Sequence, residues 1–501
     1  MPLQRLQFAP GLVLDDTAVA SEPYYADGNR VRFVRGQPQP IGGWSRRLET
    51  VNGVARALYP WINSARDRLL AVGSHSHLMV VKDGVLYDVT PAGLPVGAID
   101  GGGVGGYGMG LYGTGGYGAG AVGSSHVRTW SLARWGDALV ANPRGHTLYR
   151  WDGATGAPAT PVSGAPATMD GFVVDPARFV VALGCIDQGT GQFDPMLARW
   201  CSQDDIALWN AASTNTAGQL PLSDGGRLVG GLAGSPTLIW SDTALYQMRL
   251  TTGEEVFSIP KVGSGCGLIG PNAAVQRDGR AYWMSTAGQF FGYAGGAPEA
   301  IPCPLLRHVF DNLQNAQADK ITAGINGLWN EVWWFYPDAR DGVEVSRYVA
   351  YNWAEQTWSA GRLARSAWID ASVFERPIAA QPGGAIYDHE TGQSADGAAL
   401  GESLTTGAID LDDGDVMMRI DALYPDLKDQ AGVLQFSLLI RDAPQGPERE
   451  VGPFAIGPGT ERLPFQAQGR HVRIKLAGAS APSFWRMGAP RFDIKPTGMR
   501  H

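Results

Sequence analysis

The sequence predicts an all-β chain: a β-propeller of six or seven blades with an added C-terminal β-sandwich-like domain. Three observations predict it. First, 68 glycines and 33 prolines make 101 of the 501 residues, against roughly 12% in ordinary domains. Second, charged residues reach only 18% while Trp, Tyr and Phe number 16 each. Third, short strand-like runs recur about every 40–50 residues with turn residues between them, the spacing of propeller blades. Aromatics at 10% with a net charge of −8 argue against disorder. The scarcity of charge argues against a helix-rich enzyme or a coiled coil.

Residues 1–50 read as an N-terminal arm and first strands, 51–395 as the propeller, and 396–501 as the sandwich-like domain. In the first unit ALYPWI, RLLAVGS and HLMVVKDGVLYDV are strands, with Asp83-Gly84 as a hairpin turn. The second runs RTWSLARWG, DALVANP, HTLYRWDGATG, and the third DGFVVDP, RFVVALGCI, MLARWCSQDD. RLVGGLAG and PTLIWSDTALYQMRL form a fourth, and NAAVQRDGRAYWMSTAGQFFGYAGG a fifth. The sixth is ITAGINGLWNEVWWFYPD with VSRYVAYNWAEQTWSAG. There period two puts Trp334 on the face opposite Trp333 and Phe335. A weaker seventh follows at Ala367. Stacking such blades buries faces that a lone blade leaves wet, with Trp and Tyr in the wedges. An array of β-sandwiches is the competing architecture.

Past residue 400, IDLDDGDVMMRIDAL, VLQFSLLIRD, HVRIKLAG and FWRMGAPRFDI alternate as antiparallel strands with one solvated face. Helix is scarce. The best candidate is 305–320, with Leu306, Val309, Phe310 and Leu313 at helical spacing.

Residues 101–125, GGGVGGYGMGLYGTGGYGAGAVGSS, stand apart. One reading is an inter-blade loop. The other is a segment that contacts a partner or a channel through Tyr107, Met109, Leu111, Tyr112 and Tyr117. Glycine resists ordering on its own, and tyrosine offers contact area at low entropy cost.

The chemistry that motifs reveal is sparse. No phosphate loop, nucleophile elbow or zinc helix occurs, so no enzyme activity and no cofactor are expected. His75 and His77 would share a strand face, but a third metal ligand is missing nearby. Asp410, Asp412, Asp413 and Asp415 surround Gly414, without the spacing or the closing Glu of a calcium loop. Asp204-Asp205 could serve glycoside hydrolysis, although adjacent acids in a turn more often cap amides. Arg30, Arg32 and Arg35, and Arg470, His471, Arg473 and Lys475, could meet acidic or phosphate partners. The blander reading is a solvated strand face. Cys185, Cys201, Cys266 and Cys303 lie far apart and read as reduced thiols. The first residues, MPLQRLQFAPGLVLDD, lack signal-peptide character, and no apolar run is long enough for a transmembrane helix. Synthesis in a cytoplasm is expected.

Four stretches together resemble a family of bacteriophage virion proteins: NRVRFVRGQPQPIGGW (29–44), the Gly-Tyr-Gly repeat running into RTWSLARWGDALVANPRGHTLYRWD (128–152), ARWCSQDDIALWNAASTNTAGQL (198–220), and GRHVRIKLAGASAPSFWRMGAPRFDIKPTGMR (469–500). The layout resembles, more distantly, the tail nozzle (tail tubular protein B) and the packaged-DNA stabilisation protein of short-tailed phages. The resemblance implies a structural protein of the virion tail, made in the host bacterial cytoplasm. It implies a homohexameric ring between a portal-side adaptor protein and tail fibre or needle proteins, through which double-stranded DNA passes. It carries no catalytic residue. The rival readings are a propeller-type tail glycan-binding protein or depolymerase, and a propeller scaffold with peptide partners.

Overall fold

The structure, a computed structural model, describes residues 3–17, 20–102, 126–252, 255–411, 414–443 and 446–499. Among them, seven antiparallel sheets follow one another as blades of a β-propeller. Their first strands are Ala55–Ile62, Trp130–Trp135, Met169–Asp175, Leu228–Leu232, Ala274–Arg277, Thr322–Asn326 and Ala367–Ile369. Each first strand packs on the next, and Ala367–Ile369 also touches Ala55–Ile62. The hairpin turn at Asp83-Gly84 has positive φ at both residues, 51° and 78°, as a tight hairpin demands.

Tryptophan fills the wedges. Trp130 of the second blade donates its indole N–H to Ser74 O (2.7 Å), and Trp368 of the seventh donates to Ile325 O (2.7 Å). A Cβ on Gly73 would sit 2.5 Å from the Trp130 ring, and one on Gly324 would sit 2.2 Å from the Trp368 ring. Glycine at these two positions lets a neighbouring indole press against the backbone. In the strand Glu331–Pro337, Trp333 and Phe335 enter one hydrophobic cluster with Trp368, and Trp334 enters another with Trp283 and Phe290. Period two is obeyed.

The seventh unit is weak in sequence because one of its strands lies elsewhere in the chain. Ala367–Ile369, Ile378–Ala380 and Ile386–His389 are completed by Trp44–Leu48 from before the first blade, with His389 opposite Trp44. The arm ahead of that strand joins the C-terminal domain. Gln4–Arg5 pairs with Arg491–Met499, and Tyr25–Asn29 pairs with Ser403–Thr406. A four-stranded and a five-stranded sheet thus form a β-sandwich whose strands come from both ends of the chain. Leu438, Leu476, Met418, Ile420 and Phe492 fill it. The same continuous core runs through Tyr25 and Phe33 of the arm into Trp283, Trp334 and Trp358 of the propeller.

The helix expected over 305–320 is broken. Leu306–Phe310 is α-helical and Asn315–Lys320 is 3₁₀. Between them Leu313 bridges to Asp338, and the N–H of Gln314 bonds Pro337 O (3.1 Å). Strand-like pairing with the sixth blade outcompetes a continuous helix. Asp15 of the arm caps the short helix, accepting from the N–H groups of Arg307 (2.9 Å) and His308 (2.8 Å).

Candidate functional site: the axial faces and the seam

The seven first strands surround a cavity of 220 Å³ whose walls include Arg56, Asp170, Asn272 and Thr322. At the end where these strands begin, the segment Asn315–Lys320 is tied down across several blades. Asp319 accepts from Arg144 Nη1 (2.6 Å) and Arg227 Nη2 (3.2 Å), and lies 3.4 Å from His126 Nδ1. Burial alone would push its carboxyl up. The His126 bond and the two guanidinium charges outweigh burial and hold it well below the usual carboxylate range. Lys320, with a side chain 0% exposed, places Nζ on Asp100 Oδ1 (2.5 Å) and Val343 O (2.7 Å). Glu344 accepts from Arg56 at 2.7 Å through both oxygens. Burial raises its carboxyl, but Arg56 wins and the group is held low.

The described residues that flank the glycine-rich segment sit on this cap. Gly101 N–H donates to Gln317 Oε1 (2.9 Å), and Gln317 Nε2 returns a bond to Gly101 O (3.1 Å). On the far side His126 meets Asp319, and Arg128 N–H bonds Ala98 O (2.9 Å). Tyr107, Met109, Leu111, Tyr112 and Tyr117 lie outside the described residues.

At the opposite end, blades one to four frame an opening of 880 Å³ lined by Tyr59, Trp135, Phe172, Asp137, Asp175 and Arg178. Its acids are engaged. Asp137 accepts from Ser64 N–H (3.0 Å), and Asp175 from Thr237 Oγ1 (2.6 Å). Arg178 covers the Trp135 ring at 5.1 Å.

The third cluster lies at the seam between arm and propeller. Arg32, in the hairpin of Val31–Val34 with Gln37–Pro40, is 1% exposed. Its Nη2 donates to Glu331 (3.0 Å) and Glu390 (2.7 Å), and its Nη1 to Glu390 (2.9 Å). Asn326 and Trp329 each add a 2.8 Å bond to Glu390, and Trp333 adds one of 2.9 Å to Glu331. Burial pushes the Glu331 carboxyl up, Arg32 pulls it down and Glu390 pushes again, leaving it at about 7. Arg32 and its neighbours hold Glu390 below its ordinary value despite burial. Two carboxyl groups share one guanidinium, and Glu331 is the one pushed up while Glu390 is held down.

This corrects the solvated-face reading of Arg32. Arg30 also turns inward, donating to Leu400 O and lying over Trp44. Arg35 is exposed at a turn with φ 52°. In the later set, His471 is buried beside Asp410 (3.3 Å), and Arg473 reaches Glu448 (3.2 Å). His75 and His77 occupy a bend between strands rather than a strand face. Nδ1 of His75 accepts from Val54 N–H (2.9 Å), and Nδ1 of His77 pairs with Ser76 Oγ (2.7 Å). Among the described residues no three metal-ligating side chains gather. Asp205 caps the N–H of Ala207 (3.0 Å), and Asp204 pairs with Arg178. The cysteines are free, and burial pushes the thiols of Cys185 and Cys201 up to about 12 and 11. No sequence motif announced Asp319 or Lys320. Their partners Arg144 and Asp100 lie 175 and 220 residues away.

No protein-family model and no curated protein matches the chain. Among solved structures, it is similar to BamB from Moraxella catarrhalis at 10% identity over 77% of this chain and 99% of that chain, TM-score 0.39. It is similar to BBS1N, solved in complex with ARL6DN, at 8% identity over 71% and 99%, TM-score 0.38. It is also similar to the computationally designed Ika8 protein at 12% identity over 70% and 99%, TM-score 0.38.

Proposed function

We propose that this chain is a structural protein of a bacteriophage tail. In this reading it forms a homohexameric ring, a nozzle or hub below the portal and its adaptor, that retains packaged DNA and conducts it during ejection. The four stretches that resemble phage virion proteins motivate the reading. The observation that carries it furthest is the interlaced build: both chain ends share the sandwich, a pre-propeller strand completes the seventh blade, and one core spans both domains. A part that transmits force benefits from such construction, since no domain can swing on a linker. The net charge of −8 suits a conduit whose wall repels phosphate.

The glycine-rich segment is the proposed contact with a neighbouring subunit, the channel or an adjoining tail protein. Residues 103–125 carry no charged side chain, whereas a plain linker would be polar. The test is to count copies of the protein on purified particles, with and without residues 103–125. Six copies on the intact tail are expected, with assembly or DNA retention falling in the deletion. Particles with none in the tail overturn the role, and normal DNA-filled particles from the deletion overturn the contact.

A second reading, a tail glycan-binding protein or depolymerase, is favoured by the 880 Å³ opening with Tyr59 and Trp135 on its wall. Binding to host surface glycans, lost on Trp135→Ala, would select it.

A further inference from the structure

Among the arginines on the capped axial face, Arg128 stands out. Arg56 is paired with Glu344, Arg144 with Asp319 and Asp170, and Arg227 with Asp319. Arg128 is only 7% exposed, and among the described residues no carboxylate pairs with it. Its Nη2 meets Nε2 of His146 at 3.0 Å, and its Nη1 is buried with no hydrogen-bond partner among the described residues. Burial is the chief influence on its guanidinium, with Tyr149 the one counterweight. A guanidinium does not shed its proton in a protein, so the charge stays. Leaving it buried and unpaired is costly.

The side chain also lines a cavity. A pocket of 210 Å³ is bounded by Arg128, Arg144, His126, Gly97, Gly145 and Asp170, together with Ala98 and Val127. The Arg144 Nη2 is likewise buried without a partner among the described residues. Burial and the Arg128 charge keep the His146 ring neutral, and Arg128 also acts on His75. Asp170 and Asp319 are already committed to Arg144 and Arg227, so the local balance remains positive. Residues 103–125, which lie outside the described residues, contain no Asp or Glu. They cannot supply the missing carboxylate.

We propose that this pocket binds a small oxyanion, with Arg128 supplying the uncompensated charge and Arg144 and His126 completing the wall. The proposal stands apart from the tail reading. Inorganic phosphate is the probe. Titration calorimetry against chloride at equal ionic strength should give a saturable isotherm near one ion per chain. Phosphate should also raise the melting temperature where chloride does not. Arg128→Met should weaken binding about tenfold or more, as expected for a charge-assisted bond. Arg68→Gln, on an exposed strand position of the first blade, should leave it unchanged. A short DNA duplex should not displace the phosphate, because a duplex backbone cannot reach a side chain this recessed. Displacement by the duplex would give the pocket to a phosphodiester and overturn the free-ion assignment. Absence of saturable phosphate binding to the unaltered protein overturns the proposal whether or not the Arg128 variant folds. Undiminished binding in a folded Arg128→Met protein does so too.

Discussion

Two charged clusters fasten wandering segments of chain to the propeller, and they are built in opposite ways. At the seam, one guanidinium serves two carboxylates, and Arg32, Glu331 and Glu390 are 1%, 3% and 7% exposed. On the axial cap, one carboxylate serves Arg144, Arg227 and His126, and Asp319 keeps 13% of its side chain exposed. The seam has one carboxyl group more than it has cations, and burial holds the Glu331 carboxyl above its ordinary range. The cap has surplus positive charge at the edge of solvent. Dehydrated pairs cost much to form and more to break, so the seam specifies where the hairpin sits. The cap gains from attraction that solvent can screen.

The sharpest way to break this contrast is Arg32→Met. It leaves two buried carboxylates facing each other and also removes the cation over the Trp329 ring, 4.6 Å away. A loss of about 3–5 kcal/mol in urea unfolding at neutral pH is expected. A loss no larger than the cap's, about 1–2 kcal/mol, would put seam and cap on the same footing.

Glu331→Gln sharpens the comparison through pH. The folded carboxyl titrates near 7, against an ordinary value of 4.5, so the folded state binds the proton more tightly than the unfolded one. Stability from this group is therefore full below about pH 4.5, falls as pH rises toward 7, and is flat above. The slope is at most about 1.4 kcal/mol per pH unit. Glu331→Gln should flatten that interval. A wild-type profile already flat there would mean that both glutamates are ionised.

Asp319→Asn should cost about 1–2 kcal/mol, less than the seam variant. Its carboxyl is depressed, so the sign reverses: its contribution is complete above the ordinary carboxylate range and is lost only as pH falls through its own low value. Added salt should shrink this effect more than that of Arg32→Met. His126→Gln, with a ring 46% exposed, should be the mildest, within about 0.5 kcal/mol. Equal costs for Asp319→Asn and His126→Gln would mean that the two arginines do not hold the cap.

How far the sequence reached differs between these regions in the same way. Blade strands were legible because period two and turn residues are local signals. Trp333, Trp334 and Phe335 fall on alternate faces as their spacing required. The seventh blade read weakly because Trp44–Leu48, its fourth strand, is encoded more than 300 residues upstream of its pairing partner, Ile386–His389. Arg32 was misread because alternation tells which residues share a face, not whether another part of the chain covers it. The helix over 305–320 failed because Leu313 finds a partner at Asp338, which helical spacing cannot foresee. The cap was invisible, since Asp319 lies 175 residues from Arg144 and 92 from Arg227.

The central functional claim is most directly tested by a low-resolution image of the assembled particle with this protein labelled. The account predicts label in a sixfold ring on the tail axis, between the portal-side adaptor and the distal tail. Label absent from the tail, or present in a number other than six, would contradict it.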